Sequence, residues 1–594
     1  MRLSATGPNL VTLFYEQVEA SGDKPFLWSK SGGQYWPQTW HQVARSVTAL
    51  ARALRDLGLE RGNRVVLASE NRPEWLIADF AIMAAGGITV PAYVTNTVND
   101  HLHVLEDSGA RFGICSTRQI ADRFLPAARH AGLKAVIAME DWRLDADPGV
   151  ALSPWRELTE GNADSHANII EEARTIGPDD LACLIYTSGT GGVPKGVMHS
   201  HANLMHNVRA AIHLLDTLGL DDEVFLSFLP LSHSYEHMAG HFFPVAIGAQ
   251  IYYAEDMGAL ARNMAEAKPT IMTAVPRLYE MLHARITAGV AKQGGLKEKL
   301  FLKALDLGTR RLKGEHLGLF DALVDRLLDR LVRDKVRARF GGRLKALVSG
   351  GAALNPDIGT FFMALGLRIL QGYGLTETSP LISCNPPAKP KVASVGPPAL
   401  DVRVRIADDG EILAAGAMVM KGYWGRPAES ENMIRDGWLY TGDIGEFDED
   451  GYLVITDRKK DIIVNSGGDN ISPARVEGLL VLEPEIAQAM VHGDKRPHLV
   501  GLVVPDPEWL RDWAAENGKP NDLARLAGDK DLQQALMRAV DRVNPRLSVI
   551  EKVRRILVAD DAFTVDNEMM TPTMKVRRHV VRQRYGERLE GLYS

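Results

Sequence analysis

Cysteine is scarce: the 594 residues hold three, Cys115, Cys183 and Cys384, and none forms a Cys-x-x-Cys pair. That excludes a disulfide scaffold and a cysteine-bound metal, and it fits a reducing compartment. Long apolar runs are missing too. The best stretch, Asp79 to Thr95, is broken by Gly86, Gly87 and Pro91, short of the about 18 residues a membrane-spanning helix needs. The first residues carry no apolar core followed by a small-residue cleavage site. An excess of positive charge is also absent, since 68 Lys and Arg stand against 75 Asp and Glu, a net −7. No global field favours nucleic acid, and none is predicted as a partner. With 45% hydrophobic and 24% charged residues, the composition excludes a disordered chain. The expectation is a soluble, cytoplasmic protein, with peripheral contact at a membrane surface left open.

What is present is length and rhythm. At roughly 150 residues per domain the chain has material for about four domain-sized units. Ser46 to Leu57 reads as a helix, Asn63 to Ser69 as a strand, Pro73 to Ala85 as a helix and Gly87 to Tyr93 as a strand. That alternation predicts an α/β protein with mostly parallel sheets covered by helices. It resumes at Leu181 and continues past Tyr373. From Val395 to about Asp457 short strands and the turns Asp408-Asp409-Gly410 and Asp448-Glu449-Asp450-Gly451 predict a small, barrel-like β unit. A mixed α+β segment follows the charged run Asp457-Arg458-Lys459-Lys460-Asp461.

Leu296 to Arg343 is strongly helical. Phe320, Leu323, Val324, Leu327, Leu328 and Leu331 form an apolar stripe, with Asp321, Asp325, Arg326, Asp329, Arg330 and Arg333 on the other face. The stripe is expected to pack inward and the charged face to be solvated. The alternative is a helix lying on a membrane or a partner, with Arg330, Arg333 and Arg337 meeting anionic lipid.

The strongest chemical signal is Tyr186 to Gly196, YTSGTGGVPKG, directly after the apolar run Leu181 to Ile185. A strand opening into Thr187, Ser188, Gly189, Thr190, Gly191 and Gly192 offers hydroxyls and unhindered N–H groups to phosphate oxygens, and Lys195 adds a charge. It is not the P-loop of NTPases, which needs Gly-Lys-Ser/Thr opening a helix. Elsewhere, Tyr373 between two glycines can stack on a base or sit in the core. Glu377 offers a hard oxygen to Mg²⁺ or to water alone. Asp443 suits ribose hydroxyls or a turn. Arg458 reaches phosphate or belongs to a solvated run. His233, His237 and His241 imitate a zinc site, but His-Glu-x-x-His is absent and i to i+8 spans about 12 Å. No zinc is expected.

These strings, taken in order, resemble the adenylate-forming (AMP-forming) synthetases. YTSGTGGVPKG resembles the family signature. Leu347 to Leu354, LVSGGAAL, resembles the adenine-pocket segment, and Gln371 to Thr378, QGYGLTET, the segment that faces adenine and meets magnesium. Tyr440 to Asp443 resembles the ribose clamp, Asp457 to Asp461 the hinge, and Thr571 to Arg578, TPTMKVRR, the carboxy-terminal lysine motif. Thr-Pro-Thr-Met-Lys and the helical segment are similar to the long-chain fatty acyl-CoA synthetase branch. Leu229 to His233, LPLSH, fits the family, although no Trp follows it as a gate.

The resemblance implies an AMP-binding domain at 1–457, with a helical insertion at about 296–343 and the β unit at about 395–457. A hinge at 458–461, centred on Lys460, and a mobile domain at 462–594 follow. It implies that Lys575, Lys195 and Glu377 are catalytic, and that Thr187 and Glu377 share the one metal, Mg²⁺. Nucleotide would be held by Thr187, Ser188, Gly189, Thr190, Gly191, Gly351, Ala352, Gln371, Gly372, Tyr373, Gly374, Thr376, Asp443 and Arg458. Ser466, Gly467 and Gly468 would form the coenzyme A loop, and His233, Tyr235 and His237 would line an acyl pocket. The implied reaction joins a long-chain fatty acid to coenzyme A with ATP, releasing pyrophosphate and AMP. The alternatives are loading of a carrier protein, a different carboxylate, or a non-catalytic nucleotide-binding regulator.

Overall fold

The computed structural model describes residues 7–142, 147–160, 167–187, 193–571 and 574–594. The predicted alternation is realised in two large sheets. Among the described residues the first has seven strands, in the order Ala151–Pro154, Ala135–Ala138, Phe112–Cys115, Arg64–Ala68, Ile88–Ala92, Leu181–Thr187 and Lys195–Ser200. All neighbours pair in parallel except the last two strands, which form an antiparallel hairpin. Ile88–Ala92 is buried along its whole length, as a strand covered on both faces must be. Pro73–Ala84, which starts on a proline, is buried all round and is accordingly apolar all round. The helix read from Ser46 begins earlier, at Trp40. Thr39 and Gln42 form a capping box there, which the aromatic start conceals in the sequence.

The second sheet has eight strands among the described residues, in the order Ser383–Cys384, Ile369–Tyr373, Ala346–Ser349, Ile271–Ala274, Val224–Ser227, Gln250–Tyr253, Pro25–Ser31 and Gln34–Thr39. Its central pairs are parallel. Five strand ends therefore point the same way, and the chain leaving them converges on one crevice, as expected for an open parallel sheet.

A five-stranded antiparallel sheet spans Arg403–Ile406 to Leu453–Arg458. Beyond it, Ile486–His492, Leu499–Pro505 and Val553–Val558 form a three-stranded sheet. Leu499 and Val503 pack with the Lys530–Val543 helix on one face, while Val500, Leu502 and Val504 pack with Arg578–Glu590 on the other. Period-two alternation between two apolar faces is what a small covered sheet requires.

The 296–343 segment is helical as predicted, but of the expected inward stripe only Val324 and Leu328 pack inward. Leu319–Leu328 and the π-helical turn Asp329–Arg333 hold Asp325 and Arg333 buried, while Phe320, Leu323, Leu327 and Leu331 face solvent. The cause is the Arg333 guanidinium. It donates to the carbonyls of Ala304 and Ala364 at 2.8 Å and to the Asp325 carboxylate at 2.6 Å. A buried charge so fully satisfied fixes the rotation of the helix. Among the described residues no helix is long and apolar enough to cross a membrane.

Candidate active site

A cavity of about 1750 Å³ opens at the convergent strand ends, roofed by the 403–458 sheet and the C-terminal unit. One side of it is the hairpin of the first sheet. Thr187 and Lys195 are cross-strand partners at its open end, and both line the cavity. Ser188, Gly189, Thr190 and Gly191 lie outside the described residues. No helix follows the loop, which is the structural counterpart of its departure from a P-loop.

Lys195 is ion-paired with Glu429 and lies 5.1 Å from the centre of the Tyr423 ring. The Tyr423 hydroxyl in turn donates to Glu377 Oε1 at 2.7 Å. Glu377 sits in the short turn Thr376–Thr378, after the strand Ile369–Tyr373. The turn is placed by Gly374, where an added Cβ would stand 1.4 Å from the Pro380 carbonyl oxygen. No side chain fits there. Tyr423 and Glu429 were not singled out from sequence. Tyr423 lies in Gly422-Tyr423-Trp424-Gly425, whose only signal is a glycine-flanked aromatic pair, and Glu429 lies in the helix Pro427–Met433 that follows.

Lys575 comes from the other side of the cleft. Its side chain stands in the solvent of the cavity while ringed by protein, within electrostatic reach of Arg458, Asp443 and Glu377. Burial among these groups, and next the Arg458 guanidinium, bring its amine down to about 8. Asp443 is withdrawn behind the cavity wall. Its carboxylate accepts from the Tyr373 hydroxyl at 2.7 Å and pairs with Arg458 Nε at 3.1 Å, while burial lifts it above its ordinary value. Lys460 lines the cavity next to Arg458.

Gly351, Ala352, Gly372, Tyr373, Gly374 and Thr376 also line the cavity. The Tyr235 ring lies flat on Gly350, where a Cβ would meet it at 2.9 Å, and its hydroxyl donates to the Val348 carbonyl. Gln371 is not brought in. It is buried, and its amide donates to the Val392 carbonyl. Ser466, Gly467 and Gly468 stand apart as well, exposed on the tip between Ile463–Val464 and Asn470–Ile471.

An apolar limb runs inward from this polar mouth, walled by Leu214, Leu215, Phe225, Met238, Phe243 and Ile271. His233 stands at its junction with the mouth. Burial, and then Lys575, hold its imidazole neutral, down to about 3. Glu236, missed from sequence, also lines the wall. It accepts from Ser227 at 2.7 Å and Thr273 at 2.6 Å, and burial pushes its carboxyl up to about 7.

His237 does not face the limb, contrary to expectation. The π-helical turn His237–Phe242 swings it and His241 onto Asp79, at 2.9 and 3.0 Å. The three offer ligand atoms within 4.8 Å of one another, but both Nε2 atoms already donate to one carboxylate oxygen, which accounts for the cluster without an ion. Burial opposes the charge on Asp79, yet the two imidazoles outweigh it and hold the carboxyl well below the usual range. Burial keeps His241 neutral, down to about 4. Asp79 belongs to the Pro73–Ala84 helix, so this contact ties the first sheet's layer to the wall of the limb. Asp79→Ala leaves two buried donors unpaired and is expected to cost about 3 kcal/mol, read as a lowered unfolding midpoint.

Contacts across the cleft hold this arrangement closed. Arg277 donates to the Ala487 carbonyl at 3.0 Å, and Asn355 to the Gly478 carbonyl at 2.7 Å.

A nucleotide-sized polar mouth with an apolar limb, built between a large α/β body and a smaller C-terminal unit, defines an AMP-binding enzyme, and the chain belongs to that family. Residues 14–424 match the family model for the AMP-binding enzyme, and 460–594 that for its C-terminal domain. The long-chain-fatty-acid--CoA ligase FadD15 of Mycobacterium tuberculosis is 35% identical over 99% of this chain and 97% of its own. The peroxisomal long chain acyl-CoA synthetase 7 of Arabidopsis thaliana is 30% identical over 99% and 87%. The same fold occurs in the adenylation domain of a carboxylic acid reductase from Segniliparus rugosus, solved with AMP and a co-purified carboxylic acid. The TM-score there is 0.77 at 20% identity, covering 99% of this chain and 95% of that one.

Proposed function

We infer that this protein is a long-chain fatty acid–CoA ligase that works through an acyl-adenylate. One observation carries the reading: a buried apolar limb opens into the same cavity as Lys575, Lys195, Glu377 and Thr187. An alkyl chain in the limb leaves its carboxylate at the mouth, beside neutral His233 and the Lys575 ammonium. There it attacks the α-phosphorus of ATP, pyrophosphate leaves, and the thiolate of coenzyme A then displaces AMP. Anions converge in the first step, so positive charge from Lys575 and Lys195 stabilises it. Gly351, Ala352 and Tyr373 flank the base, and Arg458, backed by Asp443, takes the ribose side.

The oxygen donors of Glu377 and Thr187 fit Mg²⁺, which favours hard ligands alongside substrate phosphates. When bound, the ion would neutralise phosphate charge. The 458–461 segment acts as the hinge about which the 462–594 unit turns between steps, bringing Ser466 to Gly468 toward the cleft for coenzyme A. The same reading includes peripheral contact with a membrane surface, from which a long-chain acid is drawn.

The pH dependence separates the two steps. Lys575 is protonated below about 8 and loses its charge above it, so kcat/KM for ATP in the adenylation step should fall as pH rises through about 8. The thioester step from supplied acyl-adenylate should rise over the same range, because a thiol ionises near pKa about 8.5. Parallel profiles for the two steps would contradict the role given to Lys575. For the function as a whole, AMP release is measured across acids from acetate to long-chain species, with coenzyme A or a carrier protein as acceptor. Release with long-chain acids and coenzyme A is expected. Release with carrier protein alone, or with short acids alone, would overturn the reading.

A further inference from the structure

The outward face of the Leu319–Leu328 helix and its continuation combines two properties that are seldom found together on a solvated surface. Leu319, Phe320, Leu323, Leu327 and Leu331 are 89, 77, 70, 55 and 43% exposed. Their spacing puts them on one side of the helix, and Arg326 and Arg330 fall on the same side. A row of large apolar side chains left in water marks an interaction surface.

The charges say what kind. Every acidic side chain of this stretch is turned toward a basic partner. Asp321 pairs with Arg310, Asp325 with Arg333 and Arg311, and Asp329 and Asp334 with Arg337. Arg326, Arg330, Lys335 and Arg339 are exposed, with no acidic partner among the described residues. The surface offered to solvent is therefore apolar and cationic. A second copy of the same face would bring these cations together, which disfavours self-association through it. An anionic bilayer complements both properties, taking the leucines into its interface and the guanidinium groups onto its phosphates.

We propose that this face docks on anionic lipid and seats the protein on a membrane. The device differs from the one the sequence pattern implies, since Arg333 and Arg337 are spent internally and the leucine stripe makes the contact. Its place in the molecule is apt. The Pro276–Gln293 helix begins in the cavity wall with Pro276, Arg277 and Leu278, and it leads into Gly295–Leu312, on which Leu328 packs. The helical hairpin that reaches the cavity wall thus also carries the docking helix packed on it. The binding claim itself does not depend on the proposed reaction.

The test is co-sedimentation of the full chain with vesicles of phosphatidylcholine containing phosphatidylglycerol, and with phosphatidylcholine alone. Binding to the anionic vesicles is expected, weakening as salt rises. Arg326→Gln with Arg330→Gln should weaken it roughly 25-fold, at about fivefold for each basic side chain. Leu323→Ser with Leu327→Ser should abolish it, with circular dichroism and the thermal midpoint unchanged because these side chains make no core. Vesicle binding unaffected by either pair would overturn the proposal. So would a leucine pair that changes only the oligomeric state, or a wild-type protein that stays in the supernatant when the anionic vesicles are pelleted.

Discussion

Lys575→Ala should slow acyl-adenylate formation by roughly 10²–10³-fold, the loss typical of one preorganised electrostatic stabiliser. Conversion of supplied acyl-adenylate and coenzyme A to thioester should stay near the wild-type rate. The asymmetry follows from where the ammonium stands. Lys575 reaches the cleft only because the C-terminal unit is docked by contacts such as Arg277 to Ala487 and Asn355 to Gly478. Its neighbours there are Arg458, Asp443 and Glu377, the groups around a converging carboxylate and phosphate. Thiolate attack on an adenylate already formed has no comparable crowding of anions. Pyrophosphate exchange measures the first step, and thioester formation from synthetic adenylate the second. Equal loss of both would remove Lys575 from the chemistry and make it a residue of fold or closure.

Glu377→Ala is expected to lower pyrophosphate exchange by roughly 10²-fold or more, with the fold intact. Its carboxylate is held at the mouth by the Tyr423 hydroxyl, and the turn carrying it is pinned by the fit of Gly374 against Pro380. The loss should respond only weakly to added Mg²⁺, because the ligand itself has gone. Tyr423→Phe keeps both oxygens and should be milder. Exchange near the wild-type rate in Glu377→Ala would place the metal elsewhere.

The parts of this protein that were legible in its sequence are those where one local rule decides the outcome. The run Arg64 to Ala68 and the all-round apolar Pro73–Ala84 could only be a covered strand and a buried helix. The glycine- and hydroxyl-rich string after Leu181–Ile185 could only follow a strand. What the sequence concealed depended on partners far along the chain. The family resemblance implies that His237 lines the pocket, but resemblance fixes the segment and not the direction of each side chain. A π-helical turn and Asp79, 158 positions away, redirect His237. Gln371 sits within a motif yet bonds to Val392, and Asp443 is drawn behind Tyr373 by Arg458. The 319–331 stripe shows the same limit more sharply, since a hydrophobic period fixes which residues share a face and leaves open which way that face turns. Arg333, satisfied by backbone carbonyls of two other segments, makes that choice.

If the 188–192 loop holds phosphate as proposed, the hairpin that carries it separates two duties that a single segment would have to combine. Thr187 and Lys195 face each other across one rung of an antiparallel ladder, so their spacing is inherited from sheet geometry, about 5 Å between facing residues. Address is written in the strands and grip in the loop. Substitutions confined to 188–192 can therefore retune how a polyanion is held without moving the two anchors between which it is held, whereas a one-residue slip of either strand would misplace both at once.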